Sequence, residues 1–163
     1  MLITVNDIRA YRAIATNIDD ARVNTFIAEA EQLDILPAVG AAEYARLAAG
    51  QGLSPDETAL LNGGYYVNYA GVEEHQNGVK AALSYLAYAR FIRCHGVNIT
   101  PFGVVVKSAD DSQPASQQVV SAAAKDAEQI GREYLAQAVR FWRQVGPQSQ
   151  PVKRKVKRFV DID

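Results

Sequence analysis

The chain has 163 residues, 48% of them hydrophobic and 21% charged, and a formal net charge of −1. That length and apolar share suit one domain with one substantial core, and the near-zero charge provides no overall field to draw the molecule to nucleic acid or an anionic membrane. The apolar start at 2–5 lacks a basic leader and no stretch reaches 18 apolar residues, so the sequence predicts neither a signal peptide nor a membrane span.

Thr4 with Asp7 three positions on reads as a capped start, and a short helix is expected over 7–15 with Ile8, Tyr11 and Ile14 inward. Asp19 and Asp20 open a second helix, in which Val23, Phe26, Ile27, Ala30 and Leu33 recur at helical spacing. The Leu36-Pro37 step is expected to break it, because proline disfavours helical geometry in the residue before it; Pro37 then opens a third helix through Leu47, ended by Gly50 and Gly52. Ser54-Pro55-Asp56-Glu57 combines a cap serine, a proline at the first helical position and a glutamate three residues after the cap, which predicts a helix over 55–62.

After Gly63-Gly64, the tyrosines at 65, 66 and 69 predict a loop or short extended segment packed with a wet edge, and Glu73-Glu74-His75 an exposed polar turn. The segment 76–95 is apolar around much of its circumference, as a central buried helix should be. Then Ile99, Thr100, Phe102 and Val104-Val105-Val106 gather β-branched and aromatic residues into a strand, and 108–114 is a polar turn. A single strand needs a partner for its backbone; the choices are 2–5, the tail around Val156, a short returning strand, or another chain. Ser116 caps a last helix that carries Val119, Val120, Ala123, Ala127, Ile130, Tyr134, Leu135, Ala138, Phe141 and Trp142 as far as Val145. The fold class predicted is therefore mainly α: a single-domain helical bundle over 1–146 with a long C-terminal helix and a short β-strand or hairpin, followed by a basic tail over 147–163.

Chemistry is sparse in this pattern. His75 and His95 are the only histidines and neither has ligand spacing for zinc. Cys94, the only cysteine, excludes an internal disulfide and is expected to be buried in a reducing cytoplasm. The acidic pairs Asp19-Asp20, Asp56-Glu57 and Asp110-Asp111 fall at helix starts or a turn, and neither a phosphate loop nor a nucleophile elbow is present. The expectation is a non-enzyme with no catalytic residue, no metal and no cofactor. An enzyme assembled from distant carboxylates and tyrosines remains open, with a deep polar pocket as its sign. In the tail, Lys153, Arg154, Lys155, Lys157 and Arg158 admit a nucleic-acid contact, docking onto an acidic protein surface, or simple solvation; the interleaved Val156 and Phe159 favour protein docking.

The order of elements, with the Ala- and Tyr-rich helix over 79–92 followed by Thr100-Pro-Phe-Gly-Val-Val-Val-Lys, resembles the small head-tail connector (adaptor or neck) proteins of tailed bacteriophages, especially Bacteroides-type phage and prophage relatives. The likeness covers most of 2–142 and leaves the tail unmatched. It implies a structural protein that self-associates as a ring between portal and tail-completion proteins, in the virion neck, after assembly in the host cytoplasm. It implies no enzyme activity and no membrane. Loops and extended segments engage neighbours in such rings, so Thr100, Phe102, Val104, Val105, Val106, Lys107, Asp110 and Asp111 become the candidate subunit contacts, with Lys153, Arg154, Lys155, Lys157, Arg158 and Phe159 as a docking tail. The alternative is a small regulatory or nucleic-acid-binding helical module that uses the basic tail.

Overall fold

Helix α1 (Val5–Tyr11) begins at the expected cap: the Asp7 carboxylate accepts from the Thr4 N–H at 2.6 Å and the Thr4 hydroxyl at 2.8 Å. The computed structural model describes residues 1–14, 18–94, 97–100, 103–106 and 116–146. Within them α1 stops four residues short of its predicted end, because Arg12 leaves the helix in extended geometry. Its guanidinium lies 5.0 Å from the Tyr85 ring centroid and pairs with Asp126 at 3.0 Å, which ties the departing chain to two later helices. Ile8 and Ile14 are buried, whereas Tyr11 is partly exposed against Tyr85.

Helix α2 (Asp20–Ala30) is capped by Asp19, which accepts from the Ala21 N–H at 3.0 Å. The predicted break at Leu36-Pro37 does not occur. Instead α2 passes through a π-helical turn, Glu31–Ile35, into α3 (Leu36–Val39), with both Ile35 and Leu36 in right-handed helical geometry. The Leu36 N–H reaches back to the Glu31 carbonyl, and Pro37 then sits in the first turn of a new segment, where a donor needs no partner. The π turn has a second effect. It shifts the helical phase, so Ile35 rather than Leu33 follows Ala30 into the core, and the predicted core residue Leu33 is 63% exposed. The single third helix is also divided: α3 ends at Gly40, which has φ +89°, and α4 (Ala41–Ala49) follows.

Helix α5 (Pro55–Asn62) has both halves of its capping box, with the Ser54 N–H donating to Glu57 at 2.7 Å and the Glu57 N–H to the Ser54 hydroxyl at 3.2 Å. Of the two expectations for the following tyrosines the extended segment is found for Tyr65 and Tyr66: β1 (Gly64–Val67) pairs antiparallel with β2 (Glu73–Gln76), which takes in the residues expected to be a polar turn. Its base is a close crossing of main chains. A Cβ on Gly63, which has φ +90°, would lie 2.8 Å from the Asn77 carbonyl carbon. Buried Gln76 fastens that crossing by donating to the Ala59 carbonyl at 2.6 Å and accepting from the Gly78 N–H at 2.7 Å.

Helix α6 (Gly78–Cys94) is the predicted central helix, buried nearly all round and packed against α1, α2, α5 and α7 (Gln117–Val145). Helix α7 starts at Ser116, whose hydroxyl accepts from the Val119 N–H at 3.4 Å, and runs antiparallel to α6: Asn77 bonds Gln137, Leu86 faces Gly131, and Arg93 pairs with Glu128. Small residues Ala124, Ala127, Gly131 and Ala138 form its buried face, which lets the two backbones approach closely. The register also explains two misplaced core residues. Cys94 ends α6 near Glu128, so the first turns of α7 overhang it, and Val119 and Ala123 are exposed. Cys94 itself is exposed, not buried.

Just past α6 the predicted single strand is a two-stranded hairpin. Strands β3 (Val97–Thr100) and β4 (Gly103–Val106) pair antiparallel in the register Val97↔Val106, Asn98↔Val105, Ile99↔Val104 and Thr100↔Gly103. The described mate of the valine run is thus the segment immediately before it, and the tail and 108–114 lie outside the described residues. The molecule is a mainly α helical bundle with a long C-terminal helix and short antiparallel hairpins.

Candidate functional site

Of the predicted contact residues, Thr100, Val104, Val105 and Val106 are brought together on the β3–β4 ribbon. Phe102, Lys107, Asp110 and Asp111 lie outside the described residues, as do Lys153, Arg154, Lys155, Lys157, Arg158 and Phe159. Strands β3 and β4 pair only with each other among the described strands, and neither packs extensively on a described helix. A two-stranded ribbon has two outer edges, each with a row of main-chain donors and acceptors turned away from its mate. In sequence the ribbon follows the end of α6.

The β1–β2 hairpin stands at one end of the α6–α7 pair. Its register places Tyr66 opposite Glu74 and Tyr65 opposite His75. Tyr66 turns inward, packing edge-on against Phe141 with ring centroids 5.0 Å apart and donating its hydroxyl to Glu74 at 2.5 Å. Those bonds to Tyr66 and Asn68 hold the Glu74 carboxyl below its ordinary range. Tyr65, Val67, Tyr69 and Val72 turn outward and are 56–78% exposed. The Tyr69 hydroxyl donates to the Gln144 carbonyl at 3.0 Å, which fixes the hairpin beside the end of α7. The sequence signal for this exposed face was the alternation of Tyr65 and Val67 between glycines, a period-2 pattern too short to separate from a loop.

Several charged side chains pair between helices. Asp34 on the π turn binds Arg90 at 2.7 Å, and Glu128 receives both Arg93 and Arg132, the latter at 2.7 Å, around a cleft of about 190 Å³. Hydrogen bonds from these two arginines keep the Glu128 carboxyl low. At the α4–α5 corner Glu57, 1% exposed, pairs with Arg46 beside buried Glu43. The Ser54 main-chain N–H, opposed by burial and aided by Arg46, lowers the Glu57 carboxyl. Burial and the negative charge of Glu57 raise Glu43. These carboxylates hold helices together. Among the described residues, no group of three His, Cys, Asp or Glu side chains is arranged to hold a metal ion, and no helix is long and apolar enough to cross a membrane.

The fold and these surfaces define a helical-bundle protein with one β-ribbon before α6 and one after it, the first of which carries exposed apolar side chains. Residues 35–147, from the end of the π turn through α7, match the model of a family of unknown function, DUF6712, and the chain belongs to that family. No curated protein and no solved structure matches the chain.

Proposed function

We propose that this chain is a structural subunit of a phage head-tail connector, self-associating as a ring between portal and tail in the virion neck, without catalytic chemistry. The observation that supports this most is the β3–β4 ribbon: among the described residues its strands pair only with each other, and the outer edges of such a ribbon are ready templates for a strand from a neighbour. The arrangement of the acidic side chains agrees with a structural role, since Asp7, Asp19, Asp34, Glu57 and Glu128 cap helices or bridge them. The likeness of the helix order and the Thr100-Pro-Phe-Gly-Val stretch to connector proteins provides the phage context.

The test is deletion of the gene from a phage or inducible prophage that carries it, followed by electron microscopy of the lysate. Filled heads and free tails that fail to join, with joining restored by the wild-type gene in trans, are expected. Joined particles in the deletion strain, or absence of the protein from purified virions by mass spectrometry, would sink the reading.

A further inference from the structure

We propose that the β1–β2 hairpin and the adjoining end of α7 form a socket for Leu33 and Glu29 of a second copy of this chain, a head-to-tail contact that rests on the ring-subunit reading above. The socket is a groove of about 450 Å³ lined by Tyr69, Ala136, Val139, Arg140, Arg143 and Gln144. Tyr69 shares its hairpin with the outward Tyr65, Val67 and Val72, so half of the large hydrophobic side chains exposed among the described residues lie on this one hairpin. A cluster of that kind marks an interaction surface, whereas single exposed apolar residues do not. Its charge is equally specific. Arg140 lies in the field of the Glu74 carboxylate, which Tyr66 and Asn68 already engage, and neither it nor Arg143 makes an ion pair among the described residues, while Arg9, Arg12, Arg46, Arg90, Arg93 and Arg132 each hold a carboxylate. The socket therefore suits an apolar knob that carries a carboxylate one helical turn away.

The chain itself offers such a knob. Outside the hairpin, the large hydrophobic side chains exposed among the described residues are Met1, Tyr11, Leu33 and Val119. Met1 and Val119 have no acidic residue within four positions, and the Asp7 carboxylate one turn before Tyr11 is engaged by Thr4. Leu33 has exposed Glu29 one turn before it, and Glu29 makes no ion pair or hydrogen bond among the described residues. Leu33 is outward because of the π turn, a distortion that recurs at functional positions in helices.

Geometry makes the contact one between copies. Asp34, next to Leu33, binds Arg90 in the cleft that also holds Glu128, whereas Tyr69 binds Gln144. Along α7, Glu128 is about 12 Å from Ala136 at the near end of the socket and about 24 Å from Gln144 at its far end. Two different patches at separate places on one molecule make a heterologous contact, the kind that closes rings.

The experiment mixes two variants, both with exposed Cys94 replaced by serine: one carries Leu33→Cys and the other Ala136→Cys. Under mild oxidation the mixture should give a disulfide-linked heterodimer at least tenfold above either variant alone. Arg140→Glu with Arg143→Glu in the second chain should suppress it about tenfold, and Glu29→Arg in the first chain should restore it. A mixture that links no better than its components overturns the proposal, as does a yield indifferent to charge reversal, since the socket would then serve another occupant. The cross-link is read in purified protein and the connector role in virions. A cross-link from a protein absent from virions keeps this contact and removes the connector role, and a protein in the neck that does not cross-link does the opposite.

Discussion

The main-chain N–H of Leu2 donates to the Glu31 carboxylate at 2.5 Å, across 29 positions of sequence, and the Tyr44 hydroxyl donates to the other oxygen of the same carboxylate at 2.8 Å. One buried acid on the π turn thus holds the N-terminus and α4 together. Burial and then the bond to Glu31 push the Tyr44 hydroxyl up to about 12. Glu31→Ala strands a buried main-chain donor and a hydroxyl, and should cost about 2–4 kcal/mol in urea unfolding. Adding Tyr44→Phe should cost less in that background than in the wild type, because the hydroxyl has already lost its acceptor. Full additivity would show that the two bonds are independent.

Gly131 marks the closest approach of α6 and α7. A Cβ there would fall 2.8 Å from the Leu86 Cγ and 3.1 Å from the Ala82 carbonyl oxygen. Gly131→Ala gains roughly 1 kcal/mol of helix propensity, yet it should still destabilise by about 1–3 kcal/mol through overpacking. Combining it with Leu86→Ala, which empties the clashing volume, should leave less destabilisation than the sum of the single changes. A stabilised Gly131→Ala would show that the helices separate without cost.

The Glu43–Glu57 corner predicts a two-sided pH profile. Glu57 is lowered in the fold, so its stabilisation is present above its unfolded value near 4.5 and is lost as pH falls through the folded value. Glu43 is raised, so its penalty grows as pH rises from 4.5 through its folded value. Glu43→Gln should therefore raise the melting midpoint near neutral pH and leave it nearly unchanged at about pH 4. Glu57→Gln should lower it near neutral pH by an amount that shrinks on acidification. Thermal melts across that range read both; a Glu43→Gln variant less stable near neutral pH would contradict the assignment.

Val105 faces Asn98 in the β3–β4 ribbon. Proline there removes one donor, from the ladder or from an outer edge, and leaves every helix untouched. Val105→Pro should retain wild-type helical circular dichroism within about a tenth, because the substitution lies outside every helix, and should fail to restore head-tail joining in the deletion strain. A variant that unfolds outright would show that the ribbon belongs to the core, and one that joins heads to tails would remove it from assembly.

Local chemistry made much of the helical order legible. Thr4 with Asp7, Ser54 with Glu57, and Ser116 fixed three helix starts, because a cap is satisfied by groups within three residues of it. The long helices at 78–94 and 117–145 were also legible as helices, since each carries apolar residues at helical spacing over several turns. What depended on partners far along the chain did not show. Pro37 read as a break because nothing nearby announces a π turn, and that turn alone moves Leu33 outward and Ile35 inward. The overhang of α7 that exposes Val119 follows from where α6 ends against Glu128, a matter of helix register rather than composition. Strand pairing was hardest, since 97–100 and 64–67 are each four residues long and period 2 over four residues carries little information. Arg140 and Arg143 looked like any basic pair on a polar helix face. Only the tertiary structure set them beside Tyr69, with no ion pair to either among the described residues.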